Sequence, residues 1–301
     1  MPTFPVIEVP DDAAQEDEAM GTKFKFWFHN PELCTCLFKR SRSNTGEDWA
    51  EKIAAELCEA LGLPHARQEL GIWQGQRGTV SPAMLTPDEE LIHGNDILAG
   101  IVSSYPREEV YNVSQHTLDI VLQAMSRPDL QMPLNWTPIP AIESAVDTFV
   151  GYLLLDAWIG NGDRHHENWG FVSTNQRSIH LSPTYDHASS LGRELTDEKR
   201  RERLDNKSIG AYLKRNYSAF YAQSSDPKSL TTIAVFQAAA RSHPQAARAW
   251  LSQLSGISSD WLINLLARVP EDLMSPVAKE FAIEILLFNQ HRLLTLPEEK
   301  L

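Results

Sequence analysis

Alternating aromatic and polar residues predict a β-hairpin near the start of the chain. The segment Lys23–Phe28 has this strand-like pattern, and turn-forming residues follow it at 29–32. Cys34–Lys39 then has the composition expected of the return strand. Residues 68–84 carry three glycines among apolar residues, which indicates further short strands.

A helix is predicted over residues 45–62, where an apolar residue recurs every fourth position. This stripe would bury one face of the helix and consists of Trp49, Ile53, Leu57 and Leu61. Asn44 or Thr45 can cap its N-terminus, and Gly62 followed by Pro64 is typical of a helix end.

Helical patterns dominate from Pro87 onward. The most apolar of them, Ala141–Ile159, predicts a helix inside the core. Two short strands around a polar turn are then predicted at 169–173 and 179–181. Beyond them, charged and apolar helical segments alternate to Leu294.

These patterns divide the chain into three parts and predict an α+β protein. Residues 1–20 contain six acidic residues, and two of the first five positions are prolines, so we expect a mobile acidic leader there. Residues 21–86 form a small, sheet-rich unit with one helix. Residues 87–301 form a larger helical unit.

Composition and charge narrow the class of protein. The 301 residues are 42% hydrophobic and 22% charged, as in ordinary globular chains. The formal charge of -13 disfavours direct binding to DNA or to anionic membranes. Three cysteines are too few for a disulfide framework, and the start lacks a signal-peptide pattern. We therefore expect a cytoplasmic protein.

The candidate chemistry lies in the polar loop after the apolar helix, residues 160–170. Four residues separate Asp163 from Asn168. This is the spacing of a kinase catalytic loop, in which the Asp accepts the acceptor's hydroxyl proton and the Asn holds Mg²⁺. Asp186 follows the predicted strand pair, where a second metal-binding carboxylate is needed.

A lysine in the first unit fits the same chemistry. Lys39 ends a predicted strand, and the following helix carries Glu51 and Glu56. A strand lysine paired with a helix glutamate forms the other half of a kinase nucleotide site.

Two other interpretations of residues 163–168 compete with a kinase catalytic loop. The segment is also compatible with a solvated structural loop. A zinc site built on His165, His166 and Glu167 is disfavoured because no second His or Cys group lies at zinc spacing.

Four segments together resemble the HipA-type serine/threonine kinases, a family that includes bacterial persistence toxins. They are Leu37-Phe-Lys39, Gly46-Glu-Asp-Trp-Ala-Glu-Lys-Ile53, Gly160-Asn-Gly-Asp-Arg-His165 and Tyr185-Asp186. The resemblance implies a bilobal protein-kinase-like fold with a small sheet-rich N-lobe and a larger helical C-lobe. It also implies ATP and Mg²⁺ as cofactors and transfer of the γ-phosphate to a serine or threonine hydroxyl.

The resemblance assigns roles at five positions of this sequence. Lys39 would contact the ATP phosphates, and Asp163 would be the catalytic base. Asn168 and Asp186 would hold the metal. His165 matches a family histidine that shapes the catalytic loop rather than transferring protons.

Two features of the nucleotide site are less clear from the motifs. Glu51 is preferred over Glu56 as the partner of Lys39, because it matches the family's glutamate when Gly62 is the anchor. The chain has no G-x-G-x-x-G lid over the phosphates. The segment from Gly21 is the expected replacement, with Lys23 facing the phosphates.

The partners expected from these assignments are ATP and a protein substrate, with an antitoxin or another small regulatory protein if the chain is a toxin. A lipid or small-molecule kinase with the same loop is one alternative function. A pseudokinase that binds ATP without transferring phosphate is another. It would fit the missing glycine lid but is disfavoured because Lys39, Asp163, Asn168 and Asp186 are all present.

Overall fold

The computed structural model describes residues 2–13, 16–17 and 24–297, with only the backbone of Glu16 and Asp17. Its strands are β1 (Val6–Val9), β2 (Glu16–Asp17), β3 (Lys25–Asn30), β4 (Cys34–Arg40), β5 (Glu69–Trp73), β6 (Gln76–Pro82), β7 (Glu89–His93), β8 (Leu130–Gln131), β9 (Gly170–Thr174) and β10 (Ile179–Leu181). Its helices are α1 (Glu47–Leu61), α2 (Gly94–Ile101), α3 (Leu118–Met125), α4 (Ala145–Ile159), α5 (Asp197–Asp205), α6 (Ile209–Leu213), α7 (Thr232–Ser242), α8 (Pro244–Ser255), α9 (Ser259–Ala267) and α10 (Pro276–Leu294).

A six-stranded sheet forms the first part of the fold, in the order β1-β5-β6-β4-β3-β2. The predicted hairpin is its β3–β4 pair, in which Lys25 lies opposite Lys39. Two aromatic residues two positions apart, just before and within β3, and one on β4 pack on Trp73, because alternate side chains of a strand point to the same face. These residues are Phe24, Phe26 and Phe38.

The first residues of the expected leader are part of this sheet. Val6–Val9 form β1 and pair in parallel with Leu70–Trp73 of β5. The expectation of a mobile segment over residues 1–20 is therefore wrong for residues 6–9. The β-branched residues of this segment favour a strand, but its partner lies more than sixty residues away, so no local pattern revealed the pairing.

Helix α1 has a different N-terminus from the one predicted. The helix begins at Glu47, and its cap residue is Gly46 rather than Asn44 or Thr45. A side chain at position 46 would overlap the ring of Trp49, with a Cβ only 1.9 Å from it. The predicted end is confirmed, since Gly62 takes a left-handed conformation with φ of 74°.

The second part of the fold surrounds the predicted core helix. Every residue of α4 except Asp147 is buried. A four-stranded sheet in the order β7-β9-β10-β8 lies beside it and contains the predicted strand pair β9–β10. The strand β7, Glu89–His93, falls where only helices were expected, because its five residues lack a strand-like alternation and are defined by pairing with β9.

Among the residues that the structure describes, none of the helices combines the length and the apolar character needed to cross a membrane.

Candidate active site

Lys39 is held near the end of β4, in the middle of the six-stranded sheet, where it pairs with Lys25 on β3 and Thr79 on β6. Its ammonium Nζ donates a hydrogen bond to Oδ2 of Asp186 at 2.7 Å. The two side chains remain 26% and 32% exposed, so this ion pair is partly accessible to solvent.

Glu51 is the helix glutamate that acts on Lys39. Burial alone would lower the pKa of the Lys39 ammonium, but the negative charges of Asp186 and Glu51 outweigh burial and raise this pKa above its usual value. Glu56 lies elsewhere on the helix and pairs with Lys52 at 2.8 Å and with Arg268 at 3.4 Å. Of the two predicted candidates, Glu51 is therefore the one near the lysine.

The loop that carries Asp163 begins at Gly160, the left-handed C-cap of α4. A buried ion pair supports the loop from below: Arg164 on the loop binds both carboxylate oxygens of Asp156 on α4. Arg164 also donates to the backbone oxygen of Asn168 at 3.2 Å, and Asn161 donates to Asp156 at 2.8 Å. These contacts tie both ends of the loop to the core helix.

Asp163 and Asn168 are in direct contact. The side-chain amide of Asn168 donates to the backbone oxygen of Asp163 at 2.7 Å. The carboxylate of Asp163 accepts a hydrogen bond from Ser189 at 3.0 Å. A cavity of about 360 Å³ opens beside this carboxylate, and its wall includes Arg42 and Tyr212.

His165 makes its contacts within and around the loop. Its Nδ1 accepts a hydrogen bond from the backbone N–H of Glu167 at 3.2 Å. The edge of its ring meets Tyr111, with the ring centroids 5.8 Å apart. These contacts suit a residue that maintains the shape of the loop.

Asp186 follows the β9–β10 pair and has a left-handed backbone, with φ of 57°. Its neighbour Tyr185 donates from its hydroxyl to the backbone oxygen of Glu167 at 2.9 Å. Burial raises the pKa of this phenol above its usual value, so the hydroxyl keeps its proton. The contact fixes the segment of Asp186 against the loop of Asp163.

His187 joins the same segment to α1. Its backbone N–H donates to Oε1 of Glu51 at 3.0 Å. Burial, followed by the positive charge of Arg164, lowers the pKa of the His187 imidazole well below its usual value. The imidazole is therefore neutral, and its Nε2 lies 2.7 Å from the hydroxyl of Thr184.

The donor set fits a magnesium ion. Asp186 offers a carboxylate and Asn168 an amide oxygen, which are the hard ligands that Mg²⁺ prefers. Within residues 2–13 and 24–297, no cluster of three or more His, Cys, Asp and Glu side chains could hold a metal alone. Magnesium in phosphotransferases is commonly bound by one or two protein ligands together with substrate phosphates.

Of the seven predicted site residues, the structure describes six and says nothing of the seventh. His165 lies on the loop between Asp163 and Asn168, and the other five are linked in pairs or through a shared segment. The carboxylate of Asp186 accepts a hydrogen bond from Lys39, and the side-chain amide of Asn168 donates to the backbone oxygen of Asp163. Glu51 accepts a hydrogen bond from the backbone N–H of His187, the residue after Asp186. Lys23, predicted to face the phosphates, lies outside the described residues, as does Gly21.

Sequence reasoning missed the supporting residues of the site. Asp156 and Arg164 were within the segments considered, yet neither was singled out. The available signal is Asp156, an aspartate inside the apolar segment 141–159, because a buried charge needs a buried partner. The contacts of Ser189 and Arg193 carried no comparable signal.

Comparisons with known proteins agree with the class that the geometry suggests. No family model matches the chain. The fold is α+β and kinase-like, with the sheet-rich part that carries Lys39 set against a larger helical part that carries Asp163. In sequence and in fold, the chain is similar to serine/threonine kinases of the HipA type.

Serine/threonine-protein kinase CtkA from Helicobacter pylori is 24% identical over 186 residues, which span 60% of this chain and 53% of the relative. The matched region thus covers about half the length of that protein. The crystal structure of the H. pylori proinflammatory kinase CtkA has a TM-score of 0.67 at 19% identity, with 95% of this chain and 94% of that chain covered.

The HipA chain of a Shewanella oneidensis toxin–antitoxin complex with HipB and operator DNA is a second solved structure of this fold. Its TM-score is 0.58 at 12% identity, and the superposition covers 96% of this chain and 70% of that chain. The predicted resemblance to HipA-type kinases is confirmed by this fold and by the sequence similarity to CtkA.

Proposed function

We propose that the chain is a phosphotransferase that uses ATP and Mg²⁺ to phosphorylate a serine or threonine hydroxyl of a protein. The observation that carries the proposal is the contact between Lys39 and Asp186, two residues 147 positions apart in sequence. This contact brings together a lysine on a strand and a carboxylate that follows a strand pair, the two groups that kinases place around the nucleotide phosphates and their metal.

In this proposal, each site residue has one task. Lys39 binds the ATP phosphates, and Glu51 supports the positive charge of Lys39. Asn168 and Asp186 would hold Mg²⁺, which neutralises the charge that develops on the phosphoryl oxygens when it is bound. Asp163 orients the acceptor hydroxyl and accepts its proton.

The place of the acceptor follows from the position of Asp163. The cavity of about 360 Å³ beside its carboxylate is open enough for a side chain that carries a hydroxyl group. Tyr111, whose ring is 61% exposed, lies at the edge of this cavity and offers a surface for the acceptor chain.

Nucleotide binding is tested by thermal unfolding with ATP and Mg²⁺. At 100 times its dissociation constant, a ligand stabilises the folded state by about 2.7 kcal/mol. We expect a Mg²⁺-dependent rise in melting temperature for the parent protein and a smaller one for Asp186→Asn. The control is Asp260→Asn, which makes the same chemical change at an exposed position on α9. The absence of any shift in the parent would reject the nucleotide site.

Phosphate transfer is tested with γ-labelled ATP and a mixture of protein acceptors. We expect Asp163→Asn to reduce transfer by about 100-fold or more, as is typical for the loss of a general base, while Asp260→Asn transfers like the parent. ATP binding without transfer by the parent would favour the pseudokinase. Transfer to lipid vesicles or free hydroxyl compounds, but not to protein, would favour the lipid or small-molecule kinase.

A role as a cytoplasmic toxin with an antitoxin partner is a narrower form of the proposal. It is supported by the fold similarity to HipA, whose solved structure contains HipB and operator DNA. Expression of the parent should then arrest growth, whereas Asp163→Asn should not. Equal growth of both strains would remove the toxin role without affecting the kinase proposal.

A further inference from the structure

A chain of hydrogen bonds runs from the carboxylate of Asp163 to the N-terminus of α1. Ser189 donates from Oγ to Oδ2 of Asp163 at 3.0 Å. Arg193 donates from Nη2 to the same Ser189 oxygen at 3.1 Å, and from Nη1 to Oε1 of Glu47 at 2.9 Å. Three side chains thus connect Asp163 to the helix that follows the strand of Lys39.

The directions of these hydrogen bonds are consistent along the chain. An arginine can only donate, so the Ser189 oxygen must accept from Arg193. The hydroxyl hydrogen of Ser189 is then directed to the carboxylate of Asp163. Because one partner in each bond is charged, these hydrogen bonds are of the stronger kind.

The end of this hydrogen-bond chain at Glu47 is held in place by further contacts. Glu47 is 3% exposed, and Arg193 has a side chain that is 15% exposed. Glu47 also accepts from the backbone N–H and the guanidinium of Arg42, each at 2.9 Å. The backbone oxygen of Arg193 accepts from the N–H of Gly46 at 3.0 Å. Ser189 is therefore held by a part of the protein that has little freedom to move.

We propose that Ser189 is a positioning residue, held by Arg193 and Glu47, that keeps the Asp163 carboxylate in the orientation needed to receive the acceptor's proton. This inference rests on the proposed function and adds a residue that no motif identified. It also predicts that the orientation of Asp163 depends on the start of α1, the helix that carries Glu51.

The next residue in sequence provides a matched control. Ser189 is partly exposed and Ser190 is buried, and the Oγ of Ser190 has no hydrogen-bond partner among the described residues. Ser189→Ala and Ser190→Ala therefore remove the same atom from neighbouring positions, and only the first change removes a hydrogen bond to Asp163.

The test is steady-state kinetics of phosphate transfer with Ser189→Ala, Ser189→Thr and Ser190→Ala. We expect Ser189→Ala to lower kcat by about 10- to 100-fold, because small errors in the placement of a catalytic group have effects of this size. The KM for ATP should not change. Ser189→Thr, which keeps the hydroxyl, should restore most of the rate, and Ser190→Ala should keep the rate of the parent.

A double variant tests the link between Arg193 and Ser189 in this hydrogen-bond chain. Arg193→Met should lower kcat in the same direction as Ser189→Ala. The two changes together should cost little more than Ser189→Ala alone, because both interrupt one connection. Melting temperatures of all variants report whether a loss of rate comes from unfolding.

The results separate this inference from the proposed function. If the parent transfers phosphate, Asp163→Asn does not, and Ser189→Ala matches Ser190→Ala in kcat, then the positioning role is wrong while the kinase function stands. If Ser189→Ala raised the KM for ATP and left kcat unchanged, the proposed role of Ser189 would also be overturned. If the parent transfers no phosphate, the proposed function fails and the inference falls with it.

Discussion

At the scale of single residues, the pair of Asp156 and Arg164 explains how the loop of Asp163 keeps its shape. The side chain of Arg164 is 1% exposed and that of Asp156 is 6% exposed. Two charges at this depth are tolerated only because each neutralises the other and their hydrogen bonds are satisfied. The pair therefore supports the loop without contacting the cavity.

We expect Arg164→Met to destabilise the protein strongly. The change leaves the Asp156 carboxylate buried without a counter-charge, which typically costs about 3–5 kcal/mol of unfolding free energy. Adding Asp156→Asn should recover part of this loss, since it removes the charge and keeps an acceptor for Asn161. Urea unfolding of the two variants measures the difference. If the double variant is no more stable than Arg164→Met, the pair does not act through its charges.

The residues proposed to contact the reactants could be predicted from sequence, whereas those that support them could not. Asp163 and Asn168 have the spacing that their proposed roles at one metal-bound phosphate require, and a spacing is visible in a sequence. Ser189 and Glu47 meet through Arg193, and the contact between Glu47 and Arg193 joins segments 146 residues apart. Nothing in the local pattern encodes a contact over that distance.

At the scale of elements, prediction succeeded where the stabilising contacts are local. The hairpin β3–β4 and the helix α1 have their turn, stripe and C-cap within the segment itself. The strands β1 and β7 were missed because each is defined by its pairing with β5 or β9. Short strands bury too little surface to be stable alone, so their sequences carry a weak signal.

The close packing of Gly151 on α4 predicts that even a methyl group at this position destabilises the protein. A Cβ added at Gly151 would lie 2.6 Å from the ring of Trp250 and 2.7 Å from Leu63. We expect Gly151→Ala to lower the free energy of unfolding by about 1–3 kcal/mol, because a packed core must deform to admit the methyl group. Chemical denaturation measures this change.

Gly100 on α2 provides the control for Gly151. A Cβ at this helical glycine would meet nothing within 4 Å. Gly100→Ala should therefore leave stability unchanged or raise it by up to about 1 kcal/mol, since alanine favours the helix. Equal destabilisation at both positions would contradict the packing argument.

At the scale of the whole molecule, the ion pair of Lys39 and Asp186 connects the six-stranded sheet to the part that carries the loop of Asp163. Glu51 and Arg193 add contacts between the same parts, through the backbone of His187 and through Glu47. The site is therefore assembled at a junction, and each half supplies groups that the other half holds in place.

Buried histidines near this junction predict how the stability of the molecule depends on pH. His116 donates from Nδ1 to the backbone oxygen of Ala219, and its Nε2 accepts from the indole N–H of Trp169. A proton on Nε2 would face another N–H group. Burial, together with neighbouring histidines, lowers the pKa of His116 to about 3 and that of His166 to about 4.

The direction of the pH dependence follows from how the folded and the unfolded protein bind protons. The usual pKa of these imidazoles is 6.5, so the unfolded chain binds protons as the pH falls below that value, while the folded protein stays neutral at these positions down to about pH 4. Their contribution to stability is complete above pH 6.5 and decreases as the pH falls. Each imidazole can add up to about 1.4 kcal/mol per pH unit to the slope of the unfolding free energy against pH.

We therefore expect His116→Phe to flatten the loss of unfolding free energy between about pH 6.5 and pH 3, the range set by the usual and lowered pKa values of His116. The phenyl ring cannot be protonated and can stack on Phe220, whose ring centroid lies 4.5 Å from that of His116. Urea unfolding across this pH range measures the slope, with His29→Gln as a control at an exposed position on β3. If His116→Phe has the same slope as the parent, His116 is not a group that limits stability in acid.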